Sequence, residues 1–186
     1  MSNEIINAMR LRSSQNQLTG QGPSKEEWYS VLNAASRAAD HGGIKPWRFR
    51  IYEGEVRAQL GECYWALAKS EVPELPESKK DSFIKKAFRA PSVLLVYAST
   101  EDHPKVPKME QIMAVSAACQ QVLLGLDSLD YGAIWRSGPV AHSDITKSQL
   151  GLQDNDQIIG FIYVGQCEQA KHYIEDTGLD SRISWA

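Results

Sequence analysis

The sequence predicts one domain in which helices are interleaved with strands. Its 186 residues, 42% of them hydrophobic, suit a single core of ordinary size. Apolar residues recur at helical spacing in some segments, and at every second position or as short continuous runs in others. No repeat, low-complexity tract or linker-like boundary divides the chain, so residues 1–186 read as one domain with 166–186 as a polar C-terminal tail.

Ile5, Ile6 and Met9 stand at helical spacing between Asn3 and Leu11, which predicts a short first helix ending near the polar run Arg12-Ser13-Ser14. After the turn at 20–23, Ser24 followed by Glu27 is a capping-box pattern, in which each residue satisfies an amide at the helix start. A helix over 25–39 follows, with Trp28, Val31, Leu32 and Ala35 on its core-facing stripe. Arg37 and His41 stand at its far end, and Gly42-Gly43 terminate it. Trp47, Phe49 and Ile51 alternate with Arg48 and Arg50, the period of a half-buried strand, which Glu53-Gly54 closes. Helical patterns over 55–69 and 78–88 flank an exposed Pro- and Glu-rich connector at 72–77. The run Val93-Leu94-Leu95-Val96-Tyr97 predicts a central strand over 92–98. Beyond the loop 103–107 the longest helix is predicted over 108–129. It is apolar nearly all round, and its small residues Ala114, Ser116, Ala117, Ala118 and Gly125 permit close approach of another helix. Such a helix needs cover on every side, which in a domain this small predicts a homodimer core. Strands over 131–135 and 158–164 complete the pattern.

Composition narrows the function. Twenty basic against 23 acidic residues give a net charge of -3, which argues against a nucleic-acid partner. The N-terminal stretch carries Glu4 and lacks the apolar core of a secretory signal. The longest charge-free run, Gln111 to Leu126, is shorter than the ~20 residues that span a bilayer and contains Gln120 and Gln121, so no membrane partner is expected. Cys63, Cys119 and Cys167 are odd in number and far apart, which fits a reducing, cytoplasmic location. The four histidines have no metal-ligand spacing, so no metal is expected. Gly20-Gln21-Gly22 follows no strand and lacks a third glycine, and there is no phosphate-binding Gly-x4-Gly-Lys loop or Gly-x-Ser-x-Gly elbow.

Three polar clusters at element ends remain. Arg12-Ser13-Ser14 places a guanidinium fork beside two hydroxyls, a donor set suited to phosphate, although taken alone it reads first as a solvated loop. Arg37 to Trp47 contains Asp40, His41 and Lys45, and by pattern alone its cations offset a helix dipole. Trp135-Arg136-Ser137-Gly138 closes a strand, where loops often carry function.

Taken together, these segments resemble a known family. Arg12-Ser13-Ser14, Ala34-x-x-Arg37-Ala38-x-Asp40-His41 leading to Pro46-Trp47-x-Phe49, and Phe88-Arg89-Ala90-Pro91 are followed by Lys105-Val106-Pro107-x-x-Glu110-Gln111, Gly132-x-Ile134-Trp135-Arg136-Ser137-Gly138 and Ile159-Gly160-Phe161-x-Tyr163-x-Gly165. In that order, from Arg12 to Gly165, they look like the FMN-dependent nitroreductases, most closely their short bacterial branch of NAD(P)H nitroreductases.

The resemblance implies an α+β fold, a three-layer sandwich around a central mixed β-sheet, assembled as an intertwined homodimer with two FMN sites at the interface. It implies that Arg12, Ser13 and Ser14 bind the FMN phosphate from one subunit, that Trp135, Arg136 and Ser137 line the flavin site, and that Arg37 and His41 come from the other subunit. The implied activity passes reducing equivalents from NAD(P)H through FMN to a small electrophilic acceptor, nitroaromatic or quinone-like, by ping-pong. Flavin N5 carries the chemistry and no side chain acts as a nucleophile. Transformation of one specific metabolite, or an FMN carrier without turnover, are the alternatives. The chain departs from the common pattern in three places. Many relatives have two arginines where it has Arg12-Ser13, a basic residue where it has Gln17, and Asn and Gln at the positions of Gly43 and Lys45. The first two losses leave Arg136 or Lys45 to make up the positive charge around the phosphate.

Overall fold

Four strands organise the chain: β1 (Trp47–Glu53), β2 (Ser92–Ser99), β3 (Tyr131–Arg136) and β4 (Asp156–Gln166). They form one sheet in the order β1-β2-β4-β3. The computed structural model describes residues 3–168 and 176–186. Among these residues every pairing is antiparallel, so the sheet is antiparallel within one chain where the resemblance implies a mixed one. The reason lies in the connections. Glu53, at the end of β1, pairs with Ser92, at the start of β2, because the intervening helices return the chain to the end it left instead of crossing over.

Both faces of the sheet are covered. Leu94, Val96, Ala98, Ile162 and Val164 face one core, under α2 (Lys25–Ala35) and α5 (Lys108–Ser128). Their neighbours Val93, Leu95, Phe161 and Tyr163 face a second core. That core is closed by α3 (Ala58–Glu71), α6 (Gly138–Ala141) and α7 (Asp144–Gln149), with the short α4 (Lys80–Ile84) packed on α3. Three layers result. A strand buried on both faces has no polar side to alternate with, which is why β2 reads as a continuous apolar run. The segment 138–149, given no element from sequence, holds α6 and α7, each too short to display a helical period.

The structure redraws several boundaries. The predicted helix over 25–39 stops at Ala35, because the Arg37 and Ala38 amides turn to the carbonyls three residues back, those of Ala34 and Ala35, in place of the four-residue spacing. Arg37 and His41 therefore stand in the connection beyond the helix, Arg37 directly after its C-cap Ser36. The predicted helix over 55–69 begins instead as a 3-10 turn (Gly54–Arg57) before α3, and that over 78–88 has 3-10 turns on either side of α4.

Helix α5 is buried along Val115, Ala118, Val122 and Leu126 but leaves Met109, Met113, Ala117 and Gln120 exposed, so in one chain it is not enclosed on every side. Gly125 does not face that open stripe. A Cβ there would lie 3.1 Å from Val31 of α2, so its smallness serves packing inside the chain. The first helix, α1 (Glu4–Leu11), is capped by Asn3 and buries no residue, leaving Ile5 71% and Met9 58% exposed. Of the tail, 169–175 lie outside the described residues, and 176–186 are exposed around a 3-10 turn (Leu179–Arg182). Among the described residues no helix is long and apolar enough to cross a membrane.

Candidate functional site

The chain leaves α1 at Arg12 and is laid along β3. Gln15 N–H donates to the Ala133 carbonyl at 3.0 Å, and Thr19 exchanges main-chain bonds with Gln166. The loop lies so close that a Cβ on Gly132 would fall 2.9 Å from Leu18 and 2.5 Å from Cys167, which is why glycine stands there. Gln15, 7% exposed, donates from Nε2 to the Ser13 hydroxyl at 2.8 Å. Arg12 and Ser13 border a small crevice with Leu123 and Asp127 of α5 and Tyr131 and Ala133 of β3. Ser14 is exposed.

At the far end of β3 the three predicted residues diverge, because successive side chains of a strand point to opposite faces. Trp135 packs toward the α2–α5 core and donates from Nε1 to the Ile159 carbonyl at 3.2 Å. Its indole crosses Gly160, where a Cβ would come within 2.2 Å of Nε1, so Trp135 pins β3 to β4. Arg136 and Ser137 instead line a cleft of about 530 Å³ on the other face. Arg136 also donates to Asn16 Oδ1 at 2.9 Å, which joins the cleft to the Arg12–Ser14 loop. Of the two cations expected to make up for the missing basic residues, Arg136 is thus placed beside that loop.

The cleft combines apolar and aromatic side chains with cations. Tyr64, Leu67 and Phe83 line it together with Lys86, Arg89 and Arg136, with Glu71 as its acid. Lys86 Nζ sits 4.1 Å from the Phe83 ring centroid and 5.6 Å from that of Tyr64. Burial, helped by the charge of Arg89, lowers the Lys86 pKa from its ordinary value. An anion arriving there would relieve this crowding of positive charge. The Tyr64 and Tyr163 hydroxyls lie 3.0 Å apart, and burial, reinforced by Tyr64, pushes the Tyr163 pKa up, so it stays neutral and rigid. A larger groove of about 720 Å³ between α2 and β1, lined by Trp28, Tyr29, Leu32 and Ile51, includes none of the predicted site residues.

Arg37 and His41 lie elsewhere. Asp40 Oδ2 accepts from the Lys45 amide at 2.7 Å, and Gly42 (φ 76°) and Lys45 (φ 54°) take left-handed conformations that fold the loop tightly. His41 forms a 3-10 turn with the two glycines, and its Nδ1 lies 2.5 Å from Glu110 Oε2 in the first turn of α5. Arg37 is exposed. Glu110 and Asp127 mark the two ends of α5, about 25 Å apart at 1.5 Å per residue. The structure therefore ties the Arg12–Ser14 loop to Arg136 through Asn16, and sets His41 at the other end of α5 from Arg12 and Ser13.

Tyr64, Lys86, Arg89 and Glu110 were not singled out from sequence. Arg89 and Glu110 fall inside motifs that carry the family resemblance, but nothing in spacing links Lys86 to Arg136 or His41 to Glu110.

Residues 9–166 match the nitroreductase family. The chain is 33% identical over 158 residues, 83% of each protein, to YdjA of Escherichia coli (strain K12), provisionally named an NAD(P)H nitroreductase. It superposes on a nitroreductase-like family protein from Bacillus cereus with a TM-score of 0.84 at 20% identity, covering 100% of this chain and 97% of that one. A provisionally assigned nitroreductase from Desulfovibrio desulfuricans, solved in complex with FMN, gives 0.74 at 19% identity over 100% and 99% of the two chains. At these identities the two structural likenesses are likenesses of fold.

Proposed function

The chain belongs to the nitroreductase family, a family of oxidoreductases, and from that premise we propose that it uses FMN to pass reducing equivalents from NAD(P)H to a small electrophilic acceptor, nitroaromatic or quinone-like, at sites shared between two copies. The observation that carries this reading is the cationic, aromatic-lined cleft holding Lys86, Arg89, Arg136 and Ser137, joined through Arg136 and Asn16 to the Arg12–Ser14 loop. That donor set suits the cofactor at both ends. The loop offers a guanidinium and two hydroxyls to a phosphate, and the cleft offers apolar cover to a planar ring and positive charge to the negative charge that ring would gain on reduction.

When bound, FMN supplies a hydride acceptor at N5 that serves the nucleotide and the acceptor in turn, the basis of ping-pong turnover. The chain's own groups bind and orient. Arg12 and Ser14 hold the phosphate, with Arg136 completing its charge balance. Lys86 and Arg89 place positive charge where a reduced ring would carry negative charge. Arg37 and His41 reach the site from the second copy, since in their own chain they stand at the other end of α5. The uncovered apolar residues of α1 and the open stripe of α5 supply surface for that copy. The unpaired thiols Cys63, Cys119 and Cys167 suit a reducing compartment such as the cytoplasm.

The test is anaerobic reduction of the FMN-loaded protein. Addition of NADH or NADPH should bleach the flavin absorbance, and a quinone or nitroaromatic should restore it. Protein that binds FMN but is bleached by neither nucleotide would be a carrier, and the proposal would fall.

A further inference from the structure

We propose that Glu110 is a positioning residue for His41, holding the imidazole in one tautomer so that Nε2 is offered to the flavin site of the partner copy. The inference rests on the reading above that His41 serves that site. The geometry that carries it is the 2.5 Å approach of Glu110 Oε2 to His41 Nδ1. A carboxylate has only acceptors, so Nδ1 must bear the hydrogen, and Nε2 remains for a ligand.

Each partner is held in place independently of the pair. On the glutamate side, the neighbouring Gln111 is 1% exposed and bonds the Glu101 amide, the Glu101 carbonyl and the Val106 carbonyl, which ties the first turn of α5 to the loop before it. That loop is closed in turn by His103 Nδ1, which accepts from the Lys105 and Val106 amides. On the histidine side, Asp40 accepts from Lys45, and Gly42 lies against Val106, where a Cβ would approach to 3.1 Å. The two side chains are 59% and 44% exposed, and an exposed ion pair contributes little to stability. The value of this pair is orientation. An unrestrained imidazole divides between two tautomers and several ring rotations, and only a fraction of those present a ring nitrogen in a given direction.

The experiment compares full-length wild type with Glu110→Ala, Glu110→Gln and His41→Gln by nitrogen-detected NMR of the imidazoles and by FMN titration. Wild type should show His41 as a single Nδ1–H tautomer. Glu110→Ala should give a mixture of tautomers and weaken FMN binding about tenfold, whereas Glu110→Gln, which keeps an acceptor oxygen, should retain the tautomer and lose less than about threefold. A single Nδ1–H tautomer persisting in Glu110→Ala would overturn the proposal. So would mixed tautomers with unchanged FMN affinity. If His41→Gln weakens FMN binding while Glu110→Ala does not, the role of Glu110 falls and the flavin-site reading stands. If His41→Gln binds FMN like wild type, the role assigned to His41 falls, and the proposal with it.

Discussion

At the C-terminal end of α5 the Arg12–Ser14 loop is held by main-chain pairing of the chain that follows it to β3 and β4, whereas at the N-terminal end His41 is held by a side chain, Glu110. The first half is built onto the sheet. Its position follows from Gln15 bonded to Ala133, Thr19 to Gln166 and Arg136 to Asn16, so its donors stand at a fixed distance from the cleft. The second half is a tight loop shaped by Asp40, Gly42 and Lys45 and fastened to a helix end. The contrast matches the two tasks proposed for them. A phosphate anchor would need fixed placement relative to the ring it orients, while a group delivered to a neighbouring copy would need only a defined exposed direction. About 25 Å of helix separates the two halves, which is why the proposed site draws them from two copies.

The sharpest way to break this comparison is to mix chains. Arg12→Ala and His41→Ala homodimers should each bind FMN poorly. After random reassociation of equal amounts, half the dimers carry one chain of each kind, and each of these has one intact site, which restores binding at about one quarter of all sites. No restoration would mean that both halves act within one chain. Next in size, Arg12→Ala alone should weaken FMN binding by about 1.5–3 kcal/mol, the range for a hydrogen bond to a charged group, and riboflavin affinity should change far less. Riboflavin and FMN losing equally would place Arg12 away from the phosphate.

Gly132→Ala should separate the halves in the other direction. Its methyl would press on Leu18 and Cys167 and lift the loop, an overpacking that costs about 1–3 kcal/mol of stability. Flavin binding should fall while the His41 imidazole resonances stay where they were, and movement of those resonances would show the halves to be coupled.

The smallest effect concerns Glu27, which ties the start of α2 to the start of β3 by accepting from the Tyr131 hydroxyl at 3.1 Å. Its bond to the Ser24 amide, with the Ser24 side chain second, lowers its pKa against the opposing effect of burial. A carboxylate whose folded pKa is depressed contributes stability above its unfolded pKa and loses it as pH falls through the folded value. The melting temperature of wild type should therefore exceed that of Glu27→Gln at neutral pH and converge with it in acid. A gap that persists at acid pH would show that the charge is not its source.

Much of the fold was legible because local patterns carry it. The four strands stand where alternation or a short apolar run places them, and the Ser24–Glu27 capping box forms as written, with Ser24 N–H donating to Glu27 and Glu27 N–H to Ser24. Ordered motifs spread along the chain likewise pointed to the family before any coordinates did. What local pattern does not carry is decided by side chains that return across the fold. Tighter turns at Arg37 and Ala38 end α2 four residues early, and Val31 rather than a second copy takes up the space at Gly125. The candidate site divides along the same line. Arg12, Ser14, Arg136 and His41 could be named from sequence because their motifs are contiguous. Lys86 in the cleft, and Glu110 beside His41, became visible only when elements distant in sequence were packed together, because a sequence records which donors a chain owns while tertiary structure sets which of them meet.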